Sequence, residues 1–233
     1  MGFFSSFIWV FLVLLWAHMG EPWIFIFIIL IFSAILHEYA HGLAAYLQGD
    51  PTAKNMGRLT FNPIPHIDPF FTILLPFLMI IMPTNFIIGG AKPVPVNPMN
   101  LTGKNAEMKV ALAGPLSNIG LAVFFGLLIR FLPVIRETES LFFAFGAVVF
   151  INLLLAVFNL IPIPPLDGSH VLFAFLPDIS QKIKIFFAQY GIIIFFVILF
   201  FFFPIIITIL YTIIEFLFYP ITGTSLAEFF GLL

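Results

Sequence analysis

The chain has no cysteine and little charge: 9 Lys and Arg and 11 Asp and Glu among 233 residues, a net charge of −2. Without cysteine there is no disulfide and no thiolate metal ligand. Charged residues make up 9% of the chain, against roughly a quarter in soluble globular domains, so an ordinary water-soluble fold is excluded. No basic excess points to nucleic acid. The apolar runs are continuous, without the short alternating segments of an outer-membrane barrel. No internal repeat is visible, which counts against a transporter built from two halves around a midplane site. The run 3–19 lacks a basic n-region and a small-residue cleavage site, and reads as a retained helix, not a signal peptide.

What is present is hydrophobicity: 62% apolar residues, 34 phenylalanines and a mean hydropathy of +1.17. Segments 3–19, 23–47, 69–89, 107–132, 141–163 and 185–218 reach or approach the ~20 residues that cross a hydrocarbon core. The fold class is therefore an all-α polytopic membrane protein of about five to six transmembrane helices. It is read as one domain over 1–233, with a catalytic core at about 23–170 and an accessory C-terminal segment at 185–218. A straight helix over 185–218 would measure about 51 Å, and Pro204 marks either a kink or a turn between two short spans.

Lysine and arginine set the orientation. If 69–89 crossed the bilayer, Lys92, Lys104 and Lys109 would fall on the opposite side from Lys54 and Arg58. A re-entrant segment broken near Pro76 and Pro83 keeps both flanks inside, and places seven of nine basic residues there. The expected location is the cell membrane, multi-pass, with the chemistry toward the cytoplasmic side.

The chemistry starts at His37-Glu38-Tyr39-Ala40-His41, inside an apolar run. His-Glu-x-x-His on a helix puts two imidazoles one turn apart on one face, where both reach one zinc, with the adjacent glutamate as general base. An ionisable side chain at bilayer depth costs ~2.5–3.5 kcal/mol, so three together call for a role; the bland alternative is a polar cluster gluing helices. A third ligand is required. A further histidine is missing at the positions where soluble zinc proteases carry it, since Ala44 and Leu47 stand there, and the next glutamate is Glu107, in a loop. "FNLIPIPPLDGSH" (158–170) offers Asp167, after a helix end broken by Pro162, Pro164 and Pro165. An Asp-Gly surface turn is the competing reading, but the orientation above brings Asp167 to the same leaflet as His37 and His41.

With these residues in view, the sequence resembles the site-2 protease family of intramembrane zinc metalloproteases (peptidase family M50), in its compact prokaryotic branch without an accessory domain. The matching motifs are His37-Glu38-x-x-His41 and the stretch from Asn159 through Pro162, Pro165 and Leu166 to Asp167-Gly168. "AGPLSN" (113–118), "GRLTFNPIPHIDP" (57–69) and "GAKPVPVNP" (90–98) add to them. Phe71 departs from the pattern, where many relatives have glycine. The resemblance implies one Zn²⁺ per chain held by His37, His41 and Asp167, Glu38 as catalytic base, and Asn159 steadying substrate or oxyanion. It also implies transmembrane segments of other proteins, within the lipid bilayer, as substrates.

His66 and His170 are weaker candidates for a supporting role beside the site. Asn118, Ser117 and Gly114 read as close helix packing. The region 52–62 is expected to form a short strand, whose edge within 57–62 an unwound substrate could extend. Two rival classes stay open from sequence: a metal transporter, and a catalytically idle relative acting as a membrane scaffold, against which the intact Glu38 argues.

Overall fold

The computed structural model describes residues 23–74, 91–175 and 181–231. The expected span 3–19 and most of 69–89 lie outside these residues. Among the described residues four helices are long and apolar enough to cross a membrane: α1 (Trp23–Leu47), α3 (Ala106–Phe131), α5 (Glu139–Asn159) and α7 (Gln181–Thr222). Shorter helices join or follow them: α2 (Thr52–Asn55), α4 (Pro133–Glu137), α6 (Asp167–Phe175) and α8 (Leu226–Phe230). This is the all-α polytopic membrane architecture expected from the apolar runs.

Helix α3 is the hub, packing against α1, α5, α6 and α7. Lipid tails are as apolar as leucine, so membrane helices associate through close packing, which small residues allow. The buried face of α3 carries that pattern at helical spacing: Ala111, Gly114, Asn118, Ala122 and Gly126. Behind it α5 is buried almost continuously from Val149 to Phe158 and anchors an apolar core with Ile29 and Leu30 of α1, Ile214 and Phe218 of α7, and Phe229 of α8. By contrast, α7 turns Phe200, Phe201 and Phe216 outward, as suits a lipid-facing surface.

The C-terminal alternative resolves to one helix. α7 runs unbroken through Pro204, and its two ends meet opposite ends of the bundle. Gly191 lies against Pro164, in the loop after α5, and Ile221 lies against Gly126 near the far end of α3. There Arg130 donates to Pro220 O, and Arg136 to Gly223 O at 3.3 Å. A second short span would need both ends at one level.

The expected strand in 52–62 is corrected. Thr52–Asn55 is a helical turn, and the following N–H groups are spent locally: Met56 N donates to Thr52 O (3.1 Å) and Arg58 N to Ala53 O (2.9 Å). A ladder needs those groups free. β-Pairing among the described residues is a single bridge, Ile67 with Ala91, beside which Lys92 N donates to His66 O at 2.7 Å.

A π-helical turn, Pro69–Leu74, follows the bridge at Ile67. The described residues on either side of 75–90 meet at one end of the bundle. Asp50, just past α1, accepts from Asn97 N (2.7 Å) and Asn100 Nδ2 (2.9 Å), and Thr102 N donates to Gln48 O (2.9 Å). Burial disfavours the Asp50 carboxylate, but these bonds and those from Thr52 outweigh it and hold its pKa below the ordinary value.

Candidate metal centre

On α1, Ser33, His37 and His41 recur every four residues and share one face. All three are buried, as is Glu38. Asp167 arrives from 126 residues beyond His41, as the first residue of α6, after Pro162, Pro164 and Pro165 end the helical run at Asn159. Gly168 makes that approach possible: a Cβ there would lie 2.2 Å from Leu160 O.

Three ligand atoms converge. His41 Nε2 stands 3.0 Å from His37 Nε2, and Asp167 Oδ2 stands 3.1 Å from His37 Nε2 and 3.2 Å from His41 Nε2. The far ring nitrogens are committed elsewhere: His41 Nδ1 lies 2.7 Å from Val110 O, which only accepts, and His37 Nδ1 lies 2.6 Å from Asn118 Oδ1. The His41 proton therefore sits on Nδ1, leaving the Nε2 lone pair directed at the other two atoms. A carboxylate oxygen and imidazole lone pairs gathered in this way repel unless a cation lies among them. Ligands about 2.0–2.1 Å from a tetrahedral zinc stand roughly 3.3–3.4 Å from one another, close to the observed separations. Two imidazoles and one carboxylate are a catalytic zinc donor set, with a fourth position left for water. The wall behind them is backbone: a Cβ on Gly114 would lie 2.3 Å from His41 Nε2 and 2.6 Å from His37 Nε2. The close packing expected of Gly114 is thus packing onto the ligands themselves.

Glu38 faces the extended segment 91–97. Its Oε2 accepts from Val94 N at 2.7 Å. Arg58 braces that segment from behind, Nη2 donating to Lys92 O (2.5 Å) and Pro93 O (3.2 Å). Burial lowers the Arg58 pKa, and the Glu38 carboxylate raises it in turn.

The remaining sequence candidates are not among the three clustered donor residues. Asn159 ends α5, buried, with Nδ2 donating to Leu155 O at 2.8 Å. His66 is a buried loop anchor whose Nε2 donates to Thr60 O at 2.9 Å, while Nδ1 has no partner. Burial holds its imidazole below the usual histidine range, with a further push from Arg58. His170 lies on α6, one turn past Asp167 and only partly buried.

Sequence reasoning missed four residues. Asn118 is not mere packing; it bonds His37 directly. Behind it Asn152 and Ser33 extend the same network, and Arg58 supports the 91–97 segment against Glu38. A signal was there for two of them: an amide inside "VVFINLLL" is costly at bilayer depth, and Ser33 precedes His37 by one helical turn.

Comparison with known proteins agrees with this geometry. Peptidase family M50 matches residues 134–203, which include Asp167. YwhC of Bacillus subtilis, named as a candidate zinc metalloprotease, is 40% identical over 181 residues, covering 74% of this chain and 78% of its own. Rip2 of Mycolicibacterium smegmatis, named likewise, is 32% identical over 152 residues, 64% of this chain and 56% of its own. MJ0611 of Methanocaldococcus jannaschii, also so named, is 53% identical over 66 residues, 28% and 32% of the two chains. No solved structure gives a significant match. With a relative 40% identical over most of both chains, and a His37-His41-Asp167 cluster suited to zinc, the chain belongs to peptidase family M50.

Proposed function

We propose that this zinc metalloprotease hydrolyses peptide bonds in or near transmembrane segments of other membrane proteins, with the site opening toward the cytoplasm. The observation that carries the reading is the position of the cluster: His37, His41 and Asp167 are buried between helices that are themselves membrane spans. In this reading His37, His41 and Asp167 hold one zinc.

Bound there, zinc supplies a Lewis acid that polarises the scissile carbonyl and acidifies water. Glu38 accepts the water proton and delivers it to the leaving amine. One of its oxygens is occupied by Val94 N–H, which keeps the carboxylate from swinging away between those two transfers. Asn159 has a second Nδ2–H beyond the one given to Leu155, available to the developing oxyanion. Peptide bonds in an intact transmembrane helix are satisfied internally, so a substrate unwinds locally before it meets Glu38. The cytoplasmic orientation is supported by the basic residues of both flanks of 69–89, which share one end of the bundle.

Glu38→Gln tests the reading. Cleavage of a reconstituted transmembrane substrate is expected to fall by at least ~10²-fold, with zinc content close to wild type. Cleavage at the wild-type rate would overturn it. Asp167→Ala is expected to lose zinc; retention of both metal and activity would remove Asp167 from the ligand set.

A further inference from the structure

A chain of buried amides leads away from the metal cluster into the bundle. Asn118 of α3 meets His37 with Oδ1, and its Nδ2 donates to Asn152 Oδ1 (2.8 Å) and, at 3.4 Å, to Ser33 O. Asn152 of α5 donates in turn to Ser33 Oγ and to Val148 O, each at 2.9 Å. Ser33, Asn118 and Asn152 are all buried, the two amides completely.

The direction of every bond in this chain follows from one end. Val148 O is a carbonyl and only accepts, so the atom of Asn152 facing it is the NH₂ group. That leaves Asn152 Oδ1 facing Asn118, which must answer with its own NH₂. Asn118 therefore turns its oxygen to His37, and the His37 proton belongs on Nδ1. A flipped Asn118 would set its own amide oxygen against two acceptors, Asn152 Oδ1 at 2.8 Å and Ser33 O at 3.4 Å. At bilayer depth there is no water to absorb such an error.

We infer that Asn152 and Ser33 are positioning residues for the metal centre: acting through Asn118, they hold His37 in the Nδ1–H tautomer, with its Nε2 lone pair free for zinc. His41 needs no such relay, since a backbone carbonyl performs the same task. The network also joins α1, α3 and α5 at the level of the ligands, so zinc affinity is linked to the packing of three helices. Outer partners of metal-binding histidines commonly govern affinity by ~10–100-fold. The role assigned to Asn152 depends on His37 holding zinc, as proposed above.

The experiment measures zinc dissociation from the detergent-purified full chain by competition with a chromophoric chelator, with melting temperature as the control for folding. Asn118→Leu is expected to weaken zinc binding by ~10–100-fold and Asn152→Leu by about tenfold. The double variant is expected to be no worse than Asn118→Leu alone, because both act through one bond to His37. Full additivity would mark Asn152 as merely structural and overturn the inference, as would wild-type zinc binding by Asn152→Leu. Ser33→Ala, a substitution small enough to fold, is expected to weaken binding by roughly two- to tenfold, the equivalent of one neutral hydrogen bond. In zinc-free protein, ¹⁵N spectra of the His37 imidazole are expected to show the Nδ1–H tautomer, replaced by a mixture in Asn152→Leu; an unchanged spectrum would also overturn the inference. Wild-type zinc binding by His37→Ala would instead overturn the ligand assignment, a separate failure.

Discussion

The backbone N–H of Val94 points at the carboxylate of Glu38, 2.7 Å from Oε2. The two residues are 56 positions apart, and the contact is held from the far side by Arg58, which takes the carbonyls of Lys92 and Pro93. Prolines at 93 and 95 stiffen the segment between those anchors. The carboxylate proposed as general base is thus held by the main chain of the 91–97 segment.

Val94→Pro removes this donor alone, in a segment already bracketed by prolines. A hydrogen bond to a charged group contributes about 1.5–3 kcal/mol, so kcat is expected to fall by roughly 10–100-fold with zinc content unchanged. Val94→Ala keeps the N–H and should retain most activity. Equal losses in the two variants would assign the effect to the buried Val94 side chain.

Gly114→Ala places a methyl group where both imidazole Nε2 atoms stand. Overpacking of this kind costs about 1–3 kcal/mol, and here the ligands are what must move. Zinc content measured by mass spectrometry is expected to drop well below one per chain. Gly120→Ala, at a position with open space around it, serves as the control and should keep its metal.

Zinc removal should cost stability, since His37, His41 and Asp167 then face one another without a cation. Binding at 1,000-fold excess over Kd contributes about 4 kcal/mol, so chelation is expected to lower the melting temperature and zinc to restore it. In Asp167→Ala the melting temperature should not respond to zinc.

His66 predicts a pH dependence. Its folded pKa lies below the ordinary value because protonation would bury a second charge near Arg58, at an Nδ1 that has no acceptor. The unfolded or locally opened loop binds the proton more readily, so this contribution to stability is intact above the ordinary histidine pKa. It declines as pH falls through ~6.5 toward the lower folded value. Amide exchange over 58–68, corrected for intrinsic rates, should accelerate between about pH 7.5 and about 5.5. His66→Gln should abolish that dependence; persistence of it would exclude His66 as the titrating group.

Much of this protein was legible in its residues because the bilayer permits so little else. Twenty apolar residues in water have many fates, but in lipid only a helix satisfies their backbone, so 23–47, 107–132 and 141–163 were readable to within a few positions. For the same reason His37, Glu38 and His41 stood out: polar groups at that depth are too costly to be incidental. Asp167 was reachable once both it and the histidines were assigned to one leaflet.

Legible in the residues alone, then, were the membrane class and the trio His37, His41 and Asp167 that the fold brings together. Tertiary structure alone decided how the site is held. The amide chain from Val148 through Asn152 and Asn118 to His37, the Val110 carbonyl on His41, and the segment from Lys92 to Val94 on Glu38 join parts of the sequence far apart. A hydrogen bond has direction and a reach of about 3 Å, and no periodicity in one helix specifies which atom of another will lie within it. The strand expected over 52–62 failed for the related reason that local turns at 52–58 had already used the N–H groups a ladder needs.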